Sequence, residues 1–184
     1  ETTPLTALLL AQVIQEAELP PGVVNIITGA GPTGAYLVEH DDVDKIAFTG
    51  STEVGKIIRR TVAGTGKRLT LELGGKAANI AFEDAPLDQT VEGVINGIFF
   101  NQGHVCCAGS RLLVQEPVFE PLLEKLKDRL QTLRVGNPLD KNTDIGAINS
   151  KAQLAKIEEL VAAGVDEGAE MYQPECALPE RGFW

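Results

Sequence analysis

The sequence predicts an α/β fold, in which helices cross over between parallel strands to form a Rossmann-like sheet. Two observations favour this class. Short β-branched runs alternate with longer amphipathic runs, and glycines close several of the predicted strands. The 184 residues are 43% apolar, which is enough for one ordinary domain or for parts of two.

The first part of the chain alternates regularly between helix and strand. Thr3 followed by Pro4 is typical of a helix N-cap with proline in the first turn. The predicted elements are a helix over 5–19, a strand over 23–28, a short helix near 33–40, a strand over 45–50, a helix over 51–63 and a strand over 67–73. This order predicts a parallel sheet with crossover helices.

The pattern after Lys76 is less regular, and Gly74-Gly75 is the best domain boundary. Leucines recur at helical spacing from Leu122 to Leu133, and Ser150 and Gly164 are expected to cap and stop a last helix. The other predicted elements are a strand over 79–84, a helix over 87–100 and a strand over 111–116. We therefore expect one domain over 1–73 and a second over 74–184.

Composition excludes several classes of partner. The net charge of −10 argues against nucleic acid and anionic membranes as partners. No apolar run reaches the roughly 18 residues of a membrane span, and no signal peptide is visible. Three cysteines are too few for a disulfide framework, so we expect a reducing, cytoplasmic setting.

Two stretches are candidate phosphate-binding turns. The stretch "GAGPTG" over 29–34 follows a predicted strand and matches the dinucleotide motif, although Glu53 is poorly placed as its ribose-binding acid. The stretch "FTGST" places Ser51 at the start of a helix, where free backbone N–H groups favour a phosphate. On local features, each stretch has an equally good explanation without a phosphate. The first can be a simple turn, and the second a simple helix cap.

The stretches "LELGGK" and "FFNQGHVCCAGS" carry candidate catalytic groups. Glu72 lies near the end of an apolar strand, where it either reaches solvent or sits in a cleft as a general base. Cys106 and Cys107 have four local explanations: a metal site, a vicinal disulfide, apolar packing and a nucleophile. Cys106, Cys107 and His104 together lack chelating spacing, so no metal is expected.

Read together, three motifs in register resemble the aldehyde dehydrogenase superfamily. They are "FTGSTEVGK" over 48–56, "LELGGK" over 71–76 and "FFNQGHVCCAGSR" over 99–111. Cys106 follows Glu72 by 34 residues, as the family pattern requires. The resemblance extends along the whole chain.

The resemblance implies NAD(P)-dependent oxidation of an aldehyde to a carboxylic acid. It implies that the Cys106 thiolate attacks the aldehyde and that Glu72 activates the water that hydrolyses the resulting thioester and can also help to deprotonate Cys106. Cys107 falls on a variable position, and His104 replaces the usual glutamine or glutamate. A catalytically silent binding or assembly module is the alternative, which the presence of both catalytic residues disfavours.

The resemblance also implies a cofactor site and an incomplete enzyme. NAD is preferred over NADP, because Glu1 matches an acid that binds the adenine ribose. Family members are much longer, so the resemblance implies an internal fragment that is inactive alone. It would consist of the second half of a cofactor domain over 1–73 and the first half of a catalytic domain over 74–184. The full-length protein is expected to act on a small aldehyde as a homodimer or homotetramer. The residues implied to bind the cofactor are Glu1, Gly29, Gly31, Gly50, Ser51 and Leu73.

Overall fold

The computed structural model describes all 184 residues and divides them into two compact units, Glu1–Gly74 and Gly75–Trp184. Each unit contains one two-stranded parallel sheet with helices around it. The elements in chain order are α1 (Leu5–Glu16), α2 (Gly31–Glu39), β1 (Lys45–Gly50), α3 (Thr52–Val62), β2 (Arg68–Leu73), β3 (Ala78–Ala81), α4 (Leu87–Phe99), β4 (Arg111–Val114), α5 (Phe119–Leu130) and α6 (Lys151–Asp166). The predicted α/β class with parallel strands and crossover helices is confirmed.

In the first unit, α3 is the crossover between β1 and β2. The two strands pair in parallel over their whole length, from Lys45 opposite Arg68 to Gly50 opposite Leu73. Alternate strand residues point inward and pack on a small core from α2 and α3, because side chains alternate between the two faces of a strand. The core residues are Val38, Ile58 and Val62, packed against Ile46, Phe48, Leu69 and Leu71.

In the second unit, the connection between β3 and β4 contains α4 and the segment that carries the paired cysteines. The strands pair in parallel from Ala78 opposite Arg111 to Ala81 opposite Val114. The core joins β3 to α4 and α5, and Leu122 of α5 is only 1% exposed. Its buried members are Ala81, Val91, Ile95 and Leu122.

The strand predicted over 23–28 is absent, and this prediction is wrong. Residues 25–30 have no regular secondary structure, and Val23 and Ile27 are 65% and 63% exposed. A β-branched run favours extended backbone, but a strand exists only where a neighbour completes the hydrogen-bonded ladder. The sheet of this unit consists of β1 and β2 alone.

Helix ends agree with the predicted caps in two cases and differ in two. Ser51 and Ser150 cap α3 and α6 through their side-chain oxygens, as predicted. The N-cap of α1 is Pro4 rather than Thr3, without a side-chain hydrogen bond. Gly164 does not stop α6, which continues to Asp166 before Gly168 adopts a positive φ of 94°.

No helix of this structure is both long and apolar enough to cross a membrane.

Candidate active site

A cleft of about 930 Å³ opens in the first unit, next to the end of β1. Its walls come from the segment before α2, the start of α2, strand β1 and one face of α3. Five of the six residues expected to bind a cofactor line this one cleft: Glu1, Gly29, Gly31, Gly50 and Ser51. The sixth, Leu73, is not in its lining.

The start of α3 forms part of the cleft wall. Ser51 has extended backbone, and its Oγ accepts a hydrogen bond from the Val54 N–H at 3.2 Å. The N–H groups of Thr52 and Glu53 have no partner within the helix, because the first turn of a helix always leaves such groups free. The helix dipole adds partial positive charge here. This end of α3 therefore suits an anionic group.

Two glycines of the cleft wall lie close to neighbouring side chains. A Cβ on Gly29 would overlap the side chain of Thr33, and a Cβ on Gly50 would overlap the ring of Phe48. Gly31, in contrast, has open space around its Cα. At two of the three predicted positions, a larger residue would therefore have to displace a neighbouring side chain.

Strand β2 ends with Glu72 and Leu73 at the carboxyl edge of the same sheet. Glu72 lies opposite Thr49 of β1 and is exposed, so it reaches solvent, which was one of its two predicted environments. Leu73 lies opposite Gly50, and its side chain packs against Gly55 of α3. Leu73 is therefore a packing residue of this unit in the structure.

The sequence did not single out the apolar residues by which α3 lines the cleft. Val54 and Ile57 line it while 41% and 53% exposed, and Thr61 follows on the same face. The signal was present in the spacing, because α3 has apolar side chains on more than the one stripe that its core requires. These side chains form a second apolar stripe that faces the cleft.

In the second unit, the cysteines lie in a short loop that backbone hydrogen bonds hold in place. We call residues 103–109 the cysteine segment. The Ala108 N–H donates to the Val105 carbonyl at 3.0 Å, which closes a turn around Cys106 and Cys107. The Gly109 N–H then donates to the Gly97 carbonyl of α4 at 3.1 Å. Ala108 is buried at 6% exposure, while both cysteines are exposed.

The backbone at the entry to the cysteine segment is left-handed over three residues. Asn101 and Gln102 have φ values of 50° and 54°, and Gly103 follows with 73°. For residues other than glycine this conformation costs about 1 kcal/mol or more each. Hydrogen bonds between Asn101 and His104 close the turn, with the His104 N–H donating to the Asn101 carbonyl at 3.0 Å. The chain thus enters the cysteine segment through a strained turn.

The structure separates the four explanations for the paired cysteines. The packing explanation is wrong, because Cys106 and Cys107 are both exposed. Cys176 is also free and exposed, and no disulfide links any of the three. No group of three or more His, Cys, Asp or Glu side chains is placed to hold a metal ion. An exposed thiol on a loop held by hydrogen bonds is compatible with a nucleophile.

Known proteins similar to this chain are dehydrogenases of aldehydes. The chain is 48% identical to retinal dehydrogenase 2 of Rattus norvegicus, matching along all of this chain and 36% of that protein. It is also 48% identical to the mitochondrial aldehyde dehydrogenase of Mesocricetus auratus, again along its whole length and 37% of that protein. The chain therefore spans little more than a third of the length of these curated relatives.

Solved structures similar to this chain also include aldehyde dehydrogenases. An aldehyde dehydrogenase from Bacillus cereus superposes with a TM-score of 0.94 at 41% identity, over 99% of this chain and 37% of that one. Betaine aldehyde dehydrogenase from Staphylococcus aureus, solved in complex with NAD+, superposes with a TM-score of 0.89 at 37% identity, over 93% of this chain and 34% of that one. The profile described as "Aldehyde dehydrogenase family" matches residues 1–183, so this chain belongs to the aldehyde dehydrogenase family.

Proposed function

We propose that the full-length protein, of which this chain supplies 184 residues, oxidises an aldehyde to a carboxylic acid with NAD. The observation that carries the proposal is an exposed Cys106 on a loop held in place by hydrogen bonds, in a chain of the aldehyde dehydrogenase family. We propose that residues 1–73 are part of the cofactor domain and that residues 74–184 are part of the catalytic domain.

The cleft of the first unit suits a dinucleotide. Its volume of about 930 Å³ falls in the range of cofactor sites, and glycines leave room for close approach of the ligand. Gly29 and Gly31 would hold the adenosine side, and Gly50 and Ser51 the pyrophosphate at the start of α3. Leu73 would lie near the nicotinamide, although here it packs on Gly55. Bound NAD supplies the acceptor for the hydride of the aldehyde.

The charges around the cleft favour NAD over NADP. The cleft lining includes the carboxylates of Glu1 and Glu39, with Lys45 as its one cationic residue. NADP differs from NAD by a 2′-phosphate on the adenine ribose, and carboxylates near that group repel it. Glu1 is proposed to accept hydrogen bonds from the ribose hydroxyls instead. A member of the family in complex with NAD+ is consistent with this choice.

The two proposed catalytic residues do chemistry of different kinds. The Cys106 thiolate forms a C–S bond to the carbonyl carbon of the aldehyde, which gives a thiohemiacetal. Loss of hydride from that carbon leaves a thioester, a good electrophile for water. The Glu72 carboxylate takes a proton from the attacking water, so that the acid is released and the thiol is restored. The exposure of Glu72 at the end of β2 leaves it accessible to water.

The setting of the full-length protein is also a proposal. We propose a small aldehyde as substrate, an assembly of two or four copies and a cytoplasmic location. The three free cysteines are compatible with a reducing compartment.

Alkylation of the full-length protein tests this function. Under limiting iodoacetamide at neutral pH, we expect Cys106 to be labelled first and aldehyde oxidation to be lost in proportion. Cys107→Ser is the matched control, and this variant should keep its activity within about threefold, since a neighbouring thiol is not the nucleophile. Equal labelling of Cys106, Cys107 and Cys176 with activity intact would instead indicate a catalytically silent module.

A further inference from the structure

At each end of the cysteine segment lies a side-chain carboxamide that faces a glycine. Gln102, the second residue of the left-handed turn, directly precedes the segment. At its end stands Gly109, which faces Asn79 of β3. Neither carboxamide belongs to the residues proposed for catalysis, and both side chains are half-buried within the second unit.

The Gln102 side chain extends from the turn onto the loop that precedes α6. A Cβ placed on Gly146 would lie 3.3 Å from Gln102 Nε2 and 3.3 Å from Pro138 Cβ, so the Gln102 amide lies directly on that glycine. The loop itself is held by an ion pair between Arg134 and Asp144 at 3.0 Å. Gln102 thus packs the turn at the start of the cysteine segment against a separate loop of the unit.

The Asn79 side chain occupies the corresponding place at the end of the segment. A Cβ placed on Gly109 would lie 3.1 Å from Asn79 Cβ and 3.5 Å from its Nδ2, while one on Gly97 would lie 3.8 Å from the same nitrogen. These are the two glycines joined by the hydrogen bond from the Gly109 N–H to the Gly97 carbonyl. Asn79 therefore packs on the link that fixes the segment to α4.

We propose that Gln102 and Asn79 are positioning residues that together hold Cys106 in place for attack. This inference rests on the proposed role of Cys106 as nucleophile. The geometry explains why the left-handed backbone at Gln102 is tolerated, because a strained conformation persists only where its surroundings fix it. A displacement of the reacting atom by about 1 Å can slow a reaction greatly. If the cysteine segment were held at only one end, the Cys106 sulfur would be less well placed and its attack would be slower.

Kinetics of the full-length protein with Gln102→Ala and Asn79→Ala test the proposal. We expect each variant to lower kcat and the rate of Cys106 alkylation at pH 7 by about tenfold, with KM for NAD within about twofold of the unchanged protein. The pH profile of alkylation should change as well, because the environment of the thiol changes. Gln102→Met keeps the length of the side chain and is expected to restore most of the loss.

Matched variants separate positioning from a general loss of structure. Gln131→Ala removes a glutamine elsewhere in the same unit and is expected to leave kcat unchanged. If the alanine variants fail to fold, Gly146→Ala serves instead, since its methyl group presses on the Gln102 amide, and a similar loss of kcat is expected.

The proposal is overturned if the variants alkylate and turn over at the unchanged rate. It is also overturned if their losses match those of Gln131→Ala once rates are corrected for the folded fraction. Cys106→Ser separates a failure of the proposed function from a failure of the positioning roles alone. Full activity in Cys106→Ser would refute the proposed function itself, whereas an inactive Cys106→Ser beside fully active Gln102 and Asn79 variants refutes only the positioning roles.

Discussion

At the residue scale, the Ser51 side chain and the backbone N–H groups that follow it can bind different groups. The hydroxyl caps α3 by accepting the Val54 N–H, while the N–H groups of Thr52 and Glu53 stay free within the helix. The sequence left a cap and a phosphate site as equal alternatives. The structure makes both roles compatible, because the cap uses the side chain and an anion would use the backbone.

Two variants of Ser51 separate these roles in the full-length protein. Ser51→Ala removes the cap and should cost about 1 kcal/mol of stability, with a modest rise in KM for NAD. Ser51→Asp keeps the cap but adds a negative charge where the pyrophosphate is proposed to lie, so KM should rise at least about tenfold at nearly unchanged stability. Thermal unfolding and NAD saturation curves measure the two effects. Unchanged NAD affinity in Ser51→Asp would refute the proposed pyrophosphate site.

At the scale of elements, a lysine closes the end of α2. Lys67 precedes β2, and its Nζ donates to the carbonyls of Val38 and His40 at 2.8 and 2.7 Å. The last carbonyls of a helix have no partner within it, and a cation there also complements the helix dipole. Lys67 therefore joins α2 to the sheet of the first unit.

Replacement of Lys67 measures this contribution. Lys67→Met keeps the aliphatic stem and removes the charge and both hydrogen bonds, so we expect a loss of about 1–2 kcal/mol in the free energy of unfolding. Lys56→Met, at an exposed position of α3, is the matched control and should change stability by less than about 0.5 kcal/mol. Denaturant unfolding followed by circular dichroism gives both values. Equal effects of the two variants would contradict the role of Lys67.

The loop before α6 contains an ion pair that responds to acid. Hydrogen bonds from Arg134 lower the pKa of Asp144 below its ordinary value. A carboxyl group with a lowered pKa in the folded state stabilises the fold above its unfolded pKa of about 4, and this contribution is lost as the pH falls through the lowered value. Because both side chains are partly exposed to solvent, which screens the charges, this contribution is small.

Asp144→Asn tests the acid response. The variant should be less stable than the unchanged protein at pH 7, and this difference should shrink as the pH falls below about 4. Asp41→Asn, which removes a carboxylate that forms no ion pair, is the control and should not show this convergence. Thermal unfolding from pH 7 to pH 2.5 provides the comparison. A pH-independent difference for Asp144→Asn would contradict the assignment.

At the scale of the whole molecule, the sequence predicted those elements whose formation depends on residues close together in the chain. Strands β1 and β2, the Ser51 cap and the helix α4 follow from periodicity and capping within short windows. The strand over 23–28 failed because pairing depends on a distant neighbour that no local pattern reveals. The choice between Cys106 and Cys107 likewise came from the register of three motifs, since the structure leaves both thiols exposed.

The 184-residue chain by itself is expected to be inactive and prone to self-association. Both sheets have only two strands, and large apolar side chains such as Leu5, Leu9 and Phe82 are 76%, 58% and 61% exposed. Exposed strand edges and apolar patches favour association between copies. Dye binding and light scattering should detect this surface, and no NADH should form from acetaldehyde and NAD. Turnover at an ordinary rate by the isolated chain would contradict this expectation.

The central claim is that Cys106 carries the acyl group during catalysis. The most direct test traps that state in the full-length protein with Glu72→Gln, which should slow hydrolysis of the thioester. After reaction with an aldehyde and NAD and an acid quench, peptide mass spectrometry should find the acyl group on Cys106, and Cys107→Ser should leave it there. An acyl group on Cys107 or Cys176, or NADH formation without any acyl-cysteine, would contradict the claim.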